Sequence, residues 1–219
     1  MDKVKTIEEA IANIHDGQTI MIGGFGGNGS PHSLIEALIA KGVKDLTIIC
    51  NDAGNPNFGV GRFFKEKRVK KLYASFIGAN PEACEDLANG EFEVVLIPQG
   101  TLAESIRAGG AGLGGILTKT GIGTLVSEGK QKINIKGEDY LVEEAIHADV
   151  ALIYAAKVDR IGNVSYHGSS RAHSPSMAMA ADYVVVEAKE IVEVGEINPD
   201  NVHTQSVFIN SIVLKGEQK

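Results

Sequence analysis

Five of the seven residues in Gly23-Gly24-Phe25-Gly26-Gly27-Asn28-Gly29 are glycine, and the segment lies between an apolar run and Ser30-Pro31. A turn needs one or two glycines. A longer stretch without side chains lets another molecule approach the backbone. Read from Gly24, the segment fits G-x-G-x-x-G, and Asp52 follows the next apolar run where a ribose-binding acid would sit. That pattern points to a dinucleotide-binding oxidoreductase domain. Pro31 opposes it. In the fingerprint the last glycine lies inside the first helical turn, where a proline two residues on removes an N–H and crowds the turn. With Ser30 as N-cap and Pro31 as first helical residue, the cluster becomes a loop at the carboxyl end of a strand, where open α/β sheets hold ligands.

Pro98-Gln99-Gly100 stands at a second strand end. The Gln99 amide either donates to a developing oxyanion or satisfies local backbone as a turn residue. A further glycine-rich stretch, Gly109-Gly110-Ala111-Gly112-Leu113-Gly114-Gly115, is followed by Thr120-Gly121-Ile122-Gly123-Thr124. A helix C-cap explains Gly109 or Gly110; close backbone packing or a substrate-facing loop explains the others. Other chemistries lack their residues. There is no G-x-S-x-G elbow and no Walker A pattern. His15, His32, His147, His167, His173 and His203 show no H-x-x-x-H spacing, and Cys50 and Cys84 form no ligand pair, so no metal is expected. His32, on the first turn after the loop, either faces a ligand or lies on a helix surface. The chain offers places to hold a substrate and no evident nucleophile.

These positions need a scaffold, and the patterning supplies one. Thr6-Ile7-Glu8-Glu9 is a capping box that starts a helix ended by Asp16-Gly17. Apolar runs at 19–22 and 46–50 read as buried strands, and the segments 69–76 and 92–97 as further strands. Helical patterns separate them: Leu34, Ile35, Leu38 and Ile39 before Gly42, a short helix near 62–66, and one at 81–88. Another follows at 101–108. Strand–helix alternation with near-continuous apolar strands predicts an α/β fold, an open and mainly parallel sheet with helices on both faces. The C-terminal half is mixed. It holds a hairpin at 133–142, strands at 150–155, 183–187 and 207–214, and a short helix at 176–181. No linker breaks the pattern, so residues 1–219 read as a single domain.

The charge is −7 and the pI about 5.4, which opposes nucleic-acid binding. The one basic run, Arg62, Lys65, Lys67, Arg68, Lys70 and Lys71, reads as a solvated helix end and strand start. Two cysteines are too few for a disulfide framework. Residues 1–5 lack a signal-peptide apolar region, and no apolar stretch approaches ~18 residues. A cytoplasmic protein with no membrane partner is expected.

Several blocks in order carry a family resemblance. Asp16-Gly17, Ile20-Met21-Ile22, Gly23-Gly24-Phe25, Gly29 and Pro31 together resemble the signature of family I coenzyme A transferases. Pro98-Gln99-Gly100-Thr101-Leu102-Ala103-Glu104, Arg107-Ala108-Gly109-Gly110-Ala111-Gly112 and the 120–124 block are similar to further family segments. The resemblance spans essentially the whole chain and is closest to the A (alpha) subunit of two-subunit acetate or butyrate–acetoacetate enzymes. It implies that the nucleophile is elsewhere, as a glutamate in a Ser-Glu-Asn-Gly block of a separate B (beta) subunit. Ser127-Glu128-Gly129 is not that block.

The resemblance further implies covalent, ping-pong transfer of CoA between a short-chain acyl-CoA and a free carboxylate. CoA enters as substrate, with no other cofactor, and an α2β2 assembly is expected. Gln99 would stabilise the oxyanion. Gly23, Gly24, Phe25, Gly26, Gly27, Asn28 and Gly29 would bind CoA or the acyl group, and Asn51 would lie near the site. Because the nucleophile is missing, a non-catalytic CoA-binding protein is the other alternative beside the oxidoreductase domain. Two stretches depart from the family pattern. Ala172-His173-Ser174-Pro175 stands where many relatives have Asn-Phe-Asn-Pro after Arg171, and Thr204-Gln205-Ser206 stands where relatives often have Thr-Pro-Gly. Both are expected to bear on the acyl acceptor or the subunit contact, and neither on the glycine loop or Gln99.

Overall fold

The computed structural model describes residues 2–216, so Met1 and 217–219 of the expected 1–219 domain lie outside the described residues. The Thr6 capping box opens α1 (Ile7–Ile11), with Glu9 N donating to Thr6 Oγ1 at 3.2 Å and Thr6 N to the Glu9 carboxylate at 3.0 Å. Then come β1 (Thr19–Ile22), α2 (His32–Lys41), β2 (Leu46–Ile49), α3 (Gly61–Lys65) and β3 (Val69–Ala74). Next are α4 (Pro81–Ala88), β4 (Glu93–Leu96), α5 (Gln99–Gly110) and β5 (Gly115–Thr118). The hairpin is β6 (Lys132–Ile135) and β7 (Glu138–Glu144), followed by β8 (Ala148–Asp159) and β9 (Val164–Ser165). The last elements are α6 (Ser174–Met179), β10 (Ala181–Val192) and β11 (Ser211–Leu214).

The main sheet runs β11-β10-β8-β1-β2-β3-β4, parallel throughout, with β9 antiparallel on β8. A small antiparallel sheet, β5-β7-β6, stands apart from it. Alternation along the strands divides the core in two. On one face Ile20, Ile22, Ile48, Leu72 and Leu152 pack with Leu34 and Leu38 of α2 and with Phe63 and Phe64 of α3. On the other, Met21, Ile49, Ile153 and Val186 pack with Leu102 and Ile106 of α5 and Met177 of α6. The predicted sheet with helices on both faces is therefore present.

The chain builds β1 to β4 outward on one side of β1 and β8 to β11 on the other. The connection from β1 goes to α2 on one face, and that from β8 reaches α6 on the opposite face. This divergence leaves a crevice at the carboxyl end of β1, the usual ligand position in such sheets.

Several boundaries differ from the sequence pattern: α1 already ends at Ile11, short of Asp16-Gly17, and β5 forms at the end of the second glycine stretch, where no strand was expected. Pro31, at φ −82° and ψ 77°, is itself the N-cap, and α2 begins one residue later than Ser30-Pro31 suggests. The cap acceptor comes from outside the segment: Leu34 N donates to the Glu187 carboxylate of β10 at 3.1 Å. Strands β8 and β10 each run for 12 residues, past the apolar runs, because their distal halves alternate apolar and charged positions, with Lys157 paired to Glu190 at 3.2 Å. The last strand starts at Ser211, since the Asn210 side chain accepts from Val184 N at 2.7 Å and 206–208 form a 3-10 turn.

In the second glycine stretch Gly109, Gly110, Gly115 and Gly121 are closely packed, whereas a Cβ on Gly112, Gly114 or Gly123 would meet nothing within 4 Å. A Cβ on Gly109 would lie 2.1 Å from the Ile146 carbonyl oxygen, so the end of α5 rests directly on the β7–β8 connection. The basic run is solvated and paired, as expected: Arg62 makes a two-pronged contact with Glu36 at 2.8 and 3.1 Å, Lys67 meets Asp86, and Lys71 meets Glu93.

Candidate active site

The glycine loop leaves β1 and doubles back on itself. Phe25 and Asn28 exchange backbone hydrogen bonds at 2.9 and 3.0 Å, and Gly24, Gly26, Gly27 and Gly29 all have positive φ. Much of the glycine content therefore has a cause inside the fold. At Gly29 (φ +76°) a Cβ would fall 2.4 Å from the Ser170 carbonyl oxygen, whereas at Gly26 it would meet open space. His32 braces the loop instead of lying free on a helix surface. Its Nε2 is 3.1 Å from the Gly27 carbonyl, its ring lies 4.3 Å from that of Phe58, and burial lowers its pKa.

Beyond β2, Asp52 ties the strand end to the loop. Its carboxylate accepts from Gly26 N, Asn51 Nδ2 and Gly54 N, each at 2.9 Å. A carboxylate so occupied is already committed to holding the loop, which removes the ribose-binding role that its position suggested. Asn51 is almost fully buried, and its Nδ2–Asp52 bond turns Oδ1 toward Gln99.

Gln99 is the first residue of α5, placed there by Pro98, whose fixed φ and missing N–H suit a helix start. Its Nε2 lies 3.4 Å from Asn51 Oδ1 and 3.4 Å from His173 Nε2. His173 Nε2 is in turn 3.3 Å from Asn51 Oδ1. Burial lowers the His173 pKa. Side chains from the ends of β2, β4 and the segment before α6 thus meet in one triangle.

The departing stretch 172–175 therefore does touch the site, contrary to the sequence expectation. His173 contacts Gln99, and the fully buried Ser174 hydroxyl, without a partner, occupies the space where a Gly23 side chain would go. The second departure lies elsewhere: Thr204 packs on β9, with its Oγ1 2.9 Å from the Tyr166 hydroxyl. His173 was missed because spacing rules look for histidines close in sequence, and its partners are 74 and 122 residues away.

Gly23, Gly24, Phe25, Gly26 and Gly27 thus lie beside Asn51–Asp52, while Asn28 turns away to donate from Nδ2 to Ser169 Oγ at 3.0 Å. The gap between the loop and Asn51–Asp52 holds only about 10 Å³. A larger cleft of about 690 Å³ is lined by Tyr73, Val95, Lys130 and Glu143, among others, and includes neither Asn51 nor Gln99. Around the site, Phe25, Phe58 and Phe76 are 58%, 42% and 55% exposed, one beyond each of β1, β2 and β3. Among the described residues, no cluster of three His, Cys, Asp or Glu side chains is placed to hold a metal, and no helix is long and apolar enough to cross a membrane.

Residues 4–215 match the Coenzyme A transferase family. The chain is 48% identical over 217 residues to acetate CoA-transferase subunit alpha of Escherichia coli, covering 99% of both chains. It is 49% identical over 211 residues to the acetoacetyl-CoA:acetate/butyrate CoA transferase alpha subunit of Clostridium acetobutylicum, covering 96% of this chain and 97% of that one. The fold matches the acyl-CoA transferase YdiF of Escherichia coli O157:H7 with a TM-score of 0.91 at 22% identity, covering all of this chain and 48% of the larger one. The chain belongs to the coenzyme A transferase family. Within it, the match places the chain among the subunits A of family I.

Proposed function

We propose that this subunit moves CoA between a short-chain acyl-CoA and a free carboxylate of the acetate, butyrate or acetoacetate type. A separate beta subunit supplies the covalent glutamate. The observation that carries the reading is the composition of the site: a side-chain amide at a helix start, a bare backbone loop, and a carboxylate, Asp52, that accepts from Gly26 N of that loop, from Asn51 Nδ2 and from Gly54 N. Such a site can stabilise charge and seat a substrate. Its acid is not free to attack one.

The chemistry follows in balanced steps. The partner's glutamate attacks the thioester carbonyl, and the tetrahedral adduct expels CoA thiolate to leave a mixed anhydride. The thiolate attacks the glutamyl carbonyl, releasing the donor carboxylate and forming a glutamyl thioester. The acceptor carboxylate then runs the same two steps in reverse. Each adduct carries an oxyanion, and Gln99 donates an N–H to it. A neutral donor aimed at charge that grows only in the transition state lowers the barrier. Residues 23–29 seat the thioester arm, and Asn51 orients Gln99.

The exposed Phe25, Phe58 and Phe76 fit a surface that a second subunit covers. An α2β2 assembly in the cytoplasm, with CoA as substrate and no further cofactor, completes the proposal. The test is reconstitution. The purified chain should show no transfer from acetoacetyl-CoA to acetate, and activity should arise on mixing with a beta subunit. Full activity of the chain by itself would overturn the divided site. Light scattering of the mixture checks the stoichiometry.

A further inference from the structure

His173 stands in the stretch that departs from the family pattern, and its imidazole closes the triangle with Asn51 and Gln99. The hydrogen-bond inventory decides what it does there. Asn51 Nδ2 is committed to Asp52, so Oδ1 is the atom Asn51 presents. A primary amide nitrogen carries two N–H groups. Were His173 Nε2 an acceptor, Gln99 would place one N–H on the imidazole and the other on Asn51, and none would remain for an oxyanion. With the proton on Nε2, His173 instead donates to Asn51 Oδ1. It then offers Gln99 no lone pair, and the second Gln99 N–H stays free.

The local backbone holds this arrangement at a cost. Ala172, just before His173, sits at φ +37° and ψ −128°, a conformation that side-chain-bearing residues rarely adopt. Ala172 N donates to the Ser169 carbonyl at 3.1 Å, Met177 N donates to the His173 carbonyl at 3.0 Å, and α6 packs against α5, the helix that carries Gln99. Strain of this kind persists where the surroundings demand a particular side-chain placement.

We propose that His173, as the Nε2–H tautomer, is a positioning residue that holds the Asn51–Gln99 pair so that one Gln99 N–H is left for the oxyanion. It does not touch the reacting atoms; it acts through Gln99. The inference rests on the CoA-transferase reading and adds a residue to it.

The experiment is steady-state kinetics of the assembled alpha–beta complex with His173→Ala, His173→Gln and His173→Phe, each also combined with Gln99→Ala. Misplacing a catalytic group can cost up to ~10² in rate, so His173→Ala should lower kcat about tenfold while KM for acyl-CoA stays within about twofold. Glutamine retains an N–H donor at a comparable reach, and His173→Gln should recover at least about half of kcat. In the Gln99→Ala background the His173 substitutions should have no further effect. Should His173→Ala fail to assemble, His173→Gln against His173→Phe makes the same comparison with the volume filled. Equal kcat in Gln and Phe variants, or a His173 effect undiminished without Gln99, would overturn the inference. A wild-type complex that transfers no CoA would instead defeat the functional reading beneath it.

Discussion

The Asn51 side-chain nitrogen donates to the Asp52 carboxylate at 2.9 Å, and this bond decides which atom of Asn51 meets Gln99. The same carboxylate accepts from the backbone of Gly26 and Gly54, so one acid sets both the loop and the amide pair. Removing it should therefore damage fold and turnover together. Hydrogen bonds to a charged group contribute ~1.5–3 kcal/mol each and do not add simply. Asp52→Ala should lower stability by about 2–4 kcal/mol in urea unfolding and lower kcat of the complex at least about tenfold. A variant that unfolds like wild type would show that the loop is held by its glycine turns alone.

Gln99 lies at the first position of α5 with its amide on the site side, and its backbone is fixed by Pro98 and the helix. Truncating the side chain should leave the fold intact. Loss of one oxyanion donor costs about 10²–10³ in rate. Gln99→Ala should lower kcat by that amount, with assembly unchanged by gel filtration. Unaltered turnover would take Gln99 out of the chemistry and leave it a structural partner of Asn51 and His173.

The two glycines Gly26 and Gly29 share positive φ and differ in surroundings, which separates conformational cost from steric cost. A side chain at left-handed φ costs roughly 1–2 kcal/mol wherever it is placed. Gly26→Ala adds only this, since nothing lies within 4 Å of the new Cβ. Gly29→Ala also drives a methyl to 2.4 Å from the Ser170 carbonyl, which must move, and Ser170 belongs to the segment leading to His173. Gly29→Ala should therefore lose more stability and far more turnover than Gly26→Ala. If Gly26→Ala is equally inactive but well folded, its position faces the substrate directly.

The N-terminal half of the fold was legible because each strand is a short apolar run with a helix start or stop beside it. Asn80, for example, caps α4 through Ala83 N at 3.2 Å, and Pro81 follows it. The C-terminal half was less so. Strands β8 and β10 leave the apolar pattern halfway along, where only their partner strands define them. At the site, Gln99 and the glycine loop could be found because strand ends are visible in sequence. Asp52 was also found, in the wrong role, since residue type cannot say that it accepts from Gly26 N, Asn51 Nδ2 and Gly54 N in the fold. His173 was not found. Its meaning comes from two contacts made across the sheet, and no spacing rule encodes those.

Glu187 poses the sharpest energetic question in the fold. It is fully buried on β10, one oxygen receives Leu34 N at 3.1 Å to cap α2, and the other has no partner. Burial pushes its carboxyl above the ordinary range, opposed by the α2 backbone and side-chain bonds and by Lys215. A carboxyl raised above its unfolded value of 4.5 keeps its proton longer in the folded state. Its stabilising contribution is complete below that pH and is lost as pH rises through the folded value. Glu187→Gln keeps an acceptor for Leu34 N and cannot ionise. Relative to wild type, its stability should therefore improve steadily as pH is raised from 4.5, in urea unfolding measured at several pH values. Glu187→Ala loses the cap acceptor as well, at a cost of about 1–2 kcal/mol, and should be weaker than Glu187→Gln at every pH. Because α2 begins directly after the glycine loop, Glu187→Ala should also slow turnover where Glu187→Gln does not. A difference between Glu187→Gln and wild type that stays constant with pH would mean that the buried carboxyl titrates in the fold as it does in the unfolded chain.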